Sequence, residues 1–113
     1  MTKWPEIRAE NMVEDSYIIQ AVIPKNLLYF DGHFADNPVL PGVVQVNWAS
    51  VMGRRAFSIS GTFKQLEVIK FQQLFFPLDE ITITLKYDEI KRKLSFSYGS
   101  ERGVHASGRI CFE

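Results

Sequence analysis

The sequence predicts an α+β fold in which an antiparallel sheet wraps around one long central helix, and three observations carry that expectation. Residues 41–57 (PGVVQVNWASVMGRRAF) are apolar on almost every face of a helix, the pattern of a helix buried all round. The C-terminal half changes to a two-residue period, the mark of half-buried strands. The connections between those strands are short enough for hairpins. A helix apolar on all sides needs a sheet that curls around it. With 113 residues, 46% of them hydrophobic, the chain suits a single domain spanning 1–113. Such a domain buries roughly 65% of its unfolded surface.

Along the chain, SYIIQAVI (residues 16–23) is β-branched and apolar, is closed by Pro24, and reads as the first strand. Residues 25–41 are rich in Asn, Asp, Gly and Pro. A loop of that length inside a compact domain is often functional. After the helix, EVIKFQQLFF (residues 67–76) reads as a strand with looser alternation, ended by Pro77. Ile81, Ile83, Leu85 and Tyr87 then alternate with Glu80, Thr82, Thr84 and Lys86. Leu94, Phe96 and Tyr98 repeat the pattern. Val104, Ala106, Gly108, Ile110 and Phe112 do so again, which puts His105, Ser107 and Arg109 on the opposite face.

Charge and cysteine content narrow the function classes. Thirteen basic residues balance thirteen acidic ones, so the net charge of zero gives no general attraction to nucleic acid or an anionic membrane. The first residues, MTKWPEIRAENM, lack an apolar leader core, and no apolar run reaches the ~20 residues that span a bilayer. The expectation is a soluble, cytoplasmic chain. The lone Cys111 allows neither an internal disulfide nor a cysteine metal cluster.

The stretch GHFADNPVLPGVVQVN (residues 32–47) holds the candidate chemistry. Pro41 suits the first helical turn, where its missing N–H costs nothing. Gly42 follows and, having no Cβ, lets another group come close to its backbone N–H. A helix start also offers unpaired donors and a positive dipole end, suited to a carbonyl oxygen gaining negative charge. His33, eight residues before Pro41, can take and return protons near neutral pH.

The string from His33 to Val43 resembles the H-F-P-x-x-P-x-x-P-G-V signature of the β-hydroxyacyl-acyl-carrier-protein dehydratases, which have the hot-dog fold. Phe71-Gln72-Gln73 to Pro77-Leu78-Asp79 is similar to that family's F-x-x-x-V-x-P-G-D segment, with Leu78 in place of Gly. Residues 41–49 also resemble the small dehydratase-like proteins of aryl polyene pigment clusters. The resemblance implies a lyase that removes water from a 3-hydroxyacyl thioester held on acyl carrier protein, giving a trans-2-enoyl thioester with no metal or organic cofactor. By position, it assigns His33 as the base and the N–H of Gly42 as the oxyanion donor. The family's acid, a Glu or Asp fourteen residues after the histidine, is here Asn47. An amide can hold a departing hydroxyl but cannot readily protonate it, so the proton would come back from His33, from Asp31 or Asp36, or not at all. Phe34, Pro41, Val43, Trp48 and Phe71 are the candidate substrate-binding residues. Tyr29, Phe30, Phe75 and Phe76 add aromatic surface that would serve equally as core. Arg54 and Arg55 either receive the acidic carrier or complement the helix dipole.

The resemblance further implies a dimer whose sites combine the histidine of one chain with the helix residue of the other. Pairing would also remove an exposed sheet edge. A homodimer, or a heterodimer with a related subunit that keeps the acid, fits equally. Two alternatives to a dehydratase stay open: a non-catalytic acyl-binding or partner subunit, and a hot-dog thioesterase.

Overall fold

The computed structural model describes residues 2–30 and 40–113. Six strands form one sheet: β1 (Glu6–Val13), β2 (Ser16–Val22), β3 (Phe63–Phe71), β4 (Glu80–Asp88), β5 (Lys93–Ser100) and β6 (Gly103–Phe112). Their order is β1-β2-β4-β5-β6-β3, with every neighbouring pair antiparallel. The helix α1 (Gly42–Phe57) lies between β2 and β3 in the chain and packs on β4 and β5. After α1 the chain crosses to the far edge to form β3, then returns to place β4 beside β2.

Alternation explains the core. Ile81, Ile83 and Leu85 of β4 and Leu94, Phe96 and Tyr98 of β5 point to the helix side and are buried. The helix answers with Val44, Gln45, Trp48, Ala49, Met52 and Gly53. That spacing marks one stripe of a 3.6-residue period. Gly53 brings the two layers together, because a Cβ there would lie 2.3 Å from Leu94 Cδ2. The buried Tyr98 hydroxyl donates to the Gln45 carbonyl at 2.6 Å and ties β5 to the first turns of α1. At the other end, Ser58 in the left-handed conformation closes the helix. Arg54 Nη1 donates to the Gly61 carbonyl at 2.9 Å while its guanidinium covers the Phe112 ring. Arg54 therefore caps the helix and seals the core, whereas Arg55 is exposed.

Four expectations change. Strand β1 was not anticipated, because Glu6, Arg8, Glu10 and Asn11 break up the apolar content of EIRAENMV. It exists as an edge strand, all eight residues exposed, held only by β2. Strand β3 occupies Phe63–Phe71 rather than residues 67–76, with bulges between Phe63 and Gln65 and between Glu67 and Lys70. The helix is covered on one side only: Val43 is 76% exposed, and Asn47, one turn later, is exposed too. Finally, His105 is buried, not on the outer face. A bulge pairs Tyr98 with Ala106 and Gly99 with Val104, leaving His105 as the extra residue and turning it inward.

On the outer face, Lys93 Nζ (2.9 Å) and Arg109 Nε (3.2 Å) both reach Glu67 Oε1. The Lys93 hydrogen bond, with help from Arg109, lowers the Glu67 carboxyl from 4.5 to about 2. A folded-state value below the unfolded one means a contribution present at neutral pH and withdrawn as pH falls from about 4.5 through 2. Glu67→Gln is expected to flatten the decline of the urea midpoint over that window, and an unchanged slope would refute the pairing. Tyr98→Phe is expected to lower unfolding free energy by about 0.5–1.5 kcal/mol in urea titrations, the net value of one hydrogen bond.

Candidate active site

The start of α1 is built by Leu40 and Pro41. Leu40 is buried, and Pro41 has φ −61° and ψ 145°, the extended conformation of an N-cap. Pro41 thus stands one position before the first helical turn expected for it. Its carbonyl accepts from Val44 N–H at 3.1 Å and Gln45 N–H at 3.3 Å. The N–H groups of Gly42 and Val43 lie ahead of these bonds, at the positive end of the dipole, in a first turn with no acidic residue. An electron-rich oxygen is the natural partner for such donors.

The room left by Gly42 is taken by Phe71. A Cβ on Gly42 would lie 2.6 Å from Phe71 Cζ, closer than real contacts allow, so only glycine lets this ring come so near. Phe71 is the last residue of β3 and is 52% exposed. One part of its ring meets the helix start and the rest faces outward. The structure therefore brings together Pro41, Gly42, Val43 and Phe71, with exposed Asn47 one turn along the open helix face from Val43. Trp48 faces the other way. It is 1% exposed, and its indole N–H donates to the Lys3 carbonyl at 3.0 Å, which makes it a core residue anchoring the N-terminal segment. His33, Phe34, Asp31 and Asp36 lie outside the described residues.

Two polar residues near this site were not singled out from the sequence. Gln45 is buried, and its Nε2 donates to the Leu40 carbonyl at 3.2 Å, fixing the chain just before the helix. His105 is fully buried and stacks on Phe75 with ring centroids 4.4 Å apart. Its Nε2 lies 2.6 Å from Ser100 Oγ. Burial, and then the nearby Arg102 charge, lower its pKa below 6.5 and favour the neutral imidazole. Phe75 thus belongs to the core around His105, while the exposed Phe76 lies under the Arg102 guanidinium. Arg102 also makes a two-pronged pair with Asp79, at 3.1 and 2.7 Å. Burial pushes Asp79 upward, but Arg102 and the Phe76 N–H outweigh it and keep the carboxyl below its usual range. No sequence signal marks the bulge at His105, since the Glu101-Arg102 turn closes on a regular Ser100–Gly103 pair before it.

No cluster of three or more metal-ligating side chains occurs among the described residues. No helix among them is long and apolar enough to cross a membrane. A cavity of about 700 Å³ opens between Lys86, Lys91, Lys93 and Arg109, and none of the residues gathered at the helix start lines it.

Comparison with known proteins finds dehydratases. The sequence matches the ApeI-like family model, described as ApeI dehydratase, over residues 9–109. It is 29% identical to the 3-hydroxyacyl-[acyl-carrier-protein] dehydratase FabZ of Thermoanaerobacter sp. (strain X514), over 81% of this chain and 72% of that one. Identity to the FabZ of Clostridium perfringens (strain SM101 / Type A) is 26%, over 93% of this chain and 83% of that one. Among solved structures, the dehydratase heterocomplex ApeI:P from Xenorhabdus doucetiae contains a chain that superposes with a TM-score of 0.88. That match has 27% identity and covers 96% of both chains. The dehydratase domain from the CurF module of curacin polyketide synthase shares the fold, with a TM-score of 0.70 and 18% identity over 96% of this chain and 42% of that one.

Gly42→Ala tests the close approach. The half-exposed Phe71 ring can swing outward, and alanine gains about 1 kcal/mol of helix propensity. Stability should therefore change little, while the Phe71 ring resonances in NMR spectra move. Unmoved ring resonances would show that Phe71 does not rest on position 42.

Proposed function

The chain belongs to the ApeI-like dehydratase family, and from that premise we propose that it removes water from a 3-hydroxyacyl thioester carried by acyl carrier protein, leaving a trans-2-enoyl thioester. Its α+β architecture is the hot-dog fold. The observation that carries the reading is the start of α1, where Gly42 presents its backbone N–H beside an aromatic ring and an open helix face. The thioester carbonyl oxygen accepts from Gly42 N–H, and the dipole end stabilises the charge that develops on it. His33 takes the proton from the carbon next to the carbonyl. The 3-hydroxyl then leaves with its electron pair and needs a proton to depart as water. Pro41, Val43, Phe34 and Phe71 supply the apolar surface that holds the acyl chain, and Trp48 supports the helix from the core side.

Asn47 decides how fast this runs. Its amide can hold the departing hydroxyl but not protonate it, so the proton returns from His33 or comes from an acid on another subunit. Exposed Val43 and Asn47, together with exposed Phe63, Leu66, Val68 and Phe71 along the β3 edge, favour a second subunit lying on this side. The opposite edge, β1, has no aromatic side chain and offers less apolar surface to a partner. Because Asn47 replaces the acid, a heterodimer with an acid-bearing relative is the second reading, with this chain as the weaker or acyl-binding partner. The similar Xenorhabdus doucetiae chain comes from a dehydratase heterocomplex, which supports that reading. Thioester hydrolysis ranks last, since no carboxylate among the described site residues stands ready to activate water.

A dehydration assay on 3-hydroxyacyl carrier protein tests the proposal. A general acid typically contributes about 10²–10⁴-fold. Asn47→Asp is therefore expected to raise the rate at least tenfold on that scale, and His33→Ala to abolish it. Turnover only on mixing with an acid-bearing relative would establish the partner reading. Release of free thiol without loss of water would overturn the dehydratase in favour of hydrolysis.

A further inference from the structure

Phe71 is the last residue of an edge strand, with a hydrogen-bonded neighbour on one side only. Strand ends of that kind fray unless something beyond them is held. Here the chain beyond Phe71 is held by the β5–β6 hairpin, with His105 at the centre of the contacts and Arg102 and Val104 beside it. The ladder with β6 closes at Phe71 opposite Ala106, and the next two N–H groups, of Gln72 (2.8 Å) and Gln73 (3.2 Å), both donate to the His105 carbonyl. Two successive donors on one carbonyl end the strand and start a turn. Gln73 Nε2 then reaches the carbonyls on either side of Gly103, Arg102 at 2.8 Å and Val104 at 3.2 Å. Two residues later the chain comes back, and Phe75 stacks flat on the His105 imidazole with 14° between the rings. The imidazole is kept in place from the other side by Ser100, whose hydroxyl also accepts the Arg102 N–H at 3.1 Å.

We propose that His105 is a positioning residue of the candidate site: its carbonyl and its ring grip both ends of residues 72–75, and so hold Phe71 across Gly42. Its inward placement costs a break in the β5–β6 ladder, and the chain gains from it a fixed exit for β3. The kinetic part of the inference rests on the dehydratase reading, whereas the structural part does not.

The test combines NMR with kinetics. The α-protons of Gly42 lie against the Phe71 ring and carry its ring current, and Phe71→Leu defines their shifts without it. His105→Ala is expected to move them most of the way to the Phe71→Leu positions, with His105→Gln, which keeps a hydrogen-bonding group for Ser100 but no stacked ring, doing the same. In the dehydration assay, KM should rise roughly three- to tenfold with little change in kcat, as expected when substrate binding alone is impaired. The double variant His105→Ala/Phe71→Leu should be no worse than Phe71→Leu, because both changes act through one ring. Unmoved Gly42 α-protons in either folded His105 variant, or kinetic losses that add, would overturn the inference. Should the wild type lack dehydratase turnover, the NMR shifts still decide whether His105 positions Phe71, so the two readings fail separately.

Discussion

The contact between α1 and strands β4 and β5 sets where everything else can be. It is close because Gly53 has no side chain to keep Leu94 away, and it is registered because the Tyr98 hydroxyl meets one particular helix carbonyl, that of Gln45. Burial of Trp48, Ala49 and Met52 supplies the driving force, while the glycine and the tyrosine choose one placement among many of similar apolar area. With the helix held there, Leu40 and Val44 stay in the core while Pro41 and Val43 are exposed, so the donors of Gly42 and Val43 lie at the edge of the buried layer. The site is a consequence of that packing, completed by an aromatic ring arriving from the other end of the sheet.

Much of this was legible in the residue pattern, and the reasons it failed elsewhere are physical. Strands β4 and β5 alternate cleanly because one face of each meets the helix, so burial wrote their period into the sequence. Strand β1 has no buried face and hence no period to read. Strand β3 was displaced by four residues at its start because two bulges interrupt its alternation, with Val68 in the left-handed region at φ 47°. His105 was placed on the wrong face for the same reason, since a bulge adds one residue and inverts the parity of everything before it. At the site, glycine at the helix start was legible as a demand for close approach. What approaches, Phe71, was not, because only the fold brings residues 42 and 71 together.

Asn47 and Leu78 are two of the points where the chain departs from the motifs it resembles, Ala35 and Phe75 being others, and these two differ in character. Asn47 stands where the resemblance implies a proton donor, and its amide can share hydrogen bonds but not readily give up a proton, a difference of chemistry and not of helix geometry. Leu78 stands at φ 70°, a conformation that glycine adopts freely and leucine does not, so its cost is conformational and local. The Asp79 that follows still receives the Phe76 N–H and the Arg102 pair, so the turn keeps its anchoring without the glycine.

The unequal borders of the sheet bear on how large any assembly can grow. One border, β1, carries no aromatic side chain; the other, β3, presents two exposed phenylalanines beside Leu66 and Val68. Two copies, or a copy and a relative, joined through their β3 borders would leave only β1 borders facing outward, so addition through β3 stops after a single step. A fibre grown through β3 needs a fresh β3 border after each round, and this arrangement provides none.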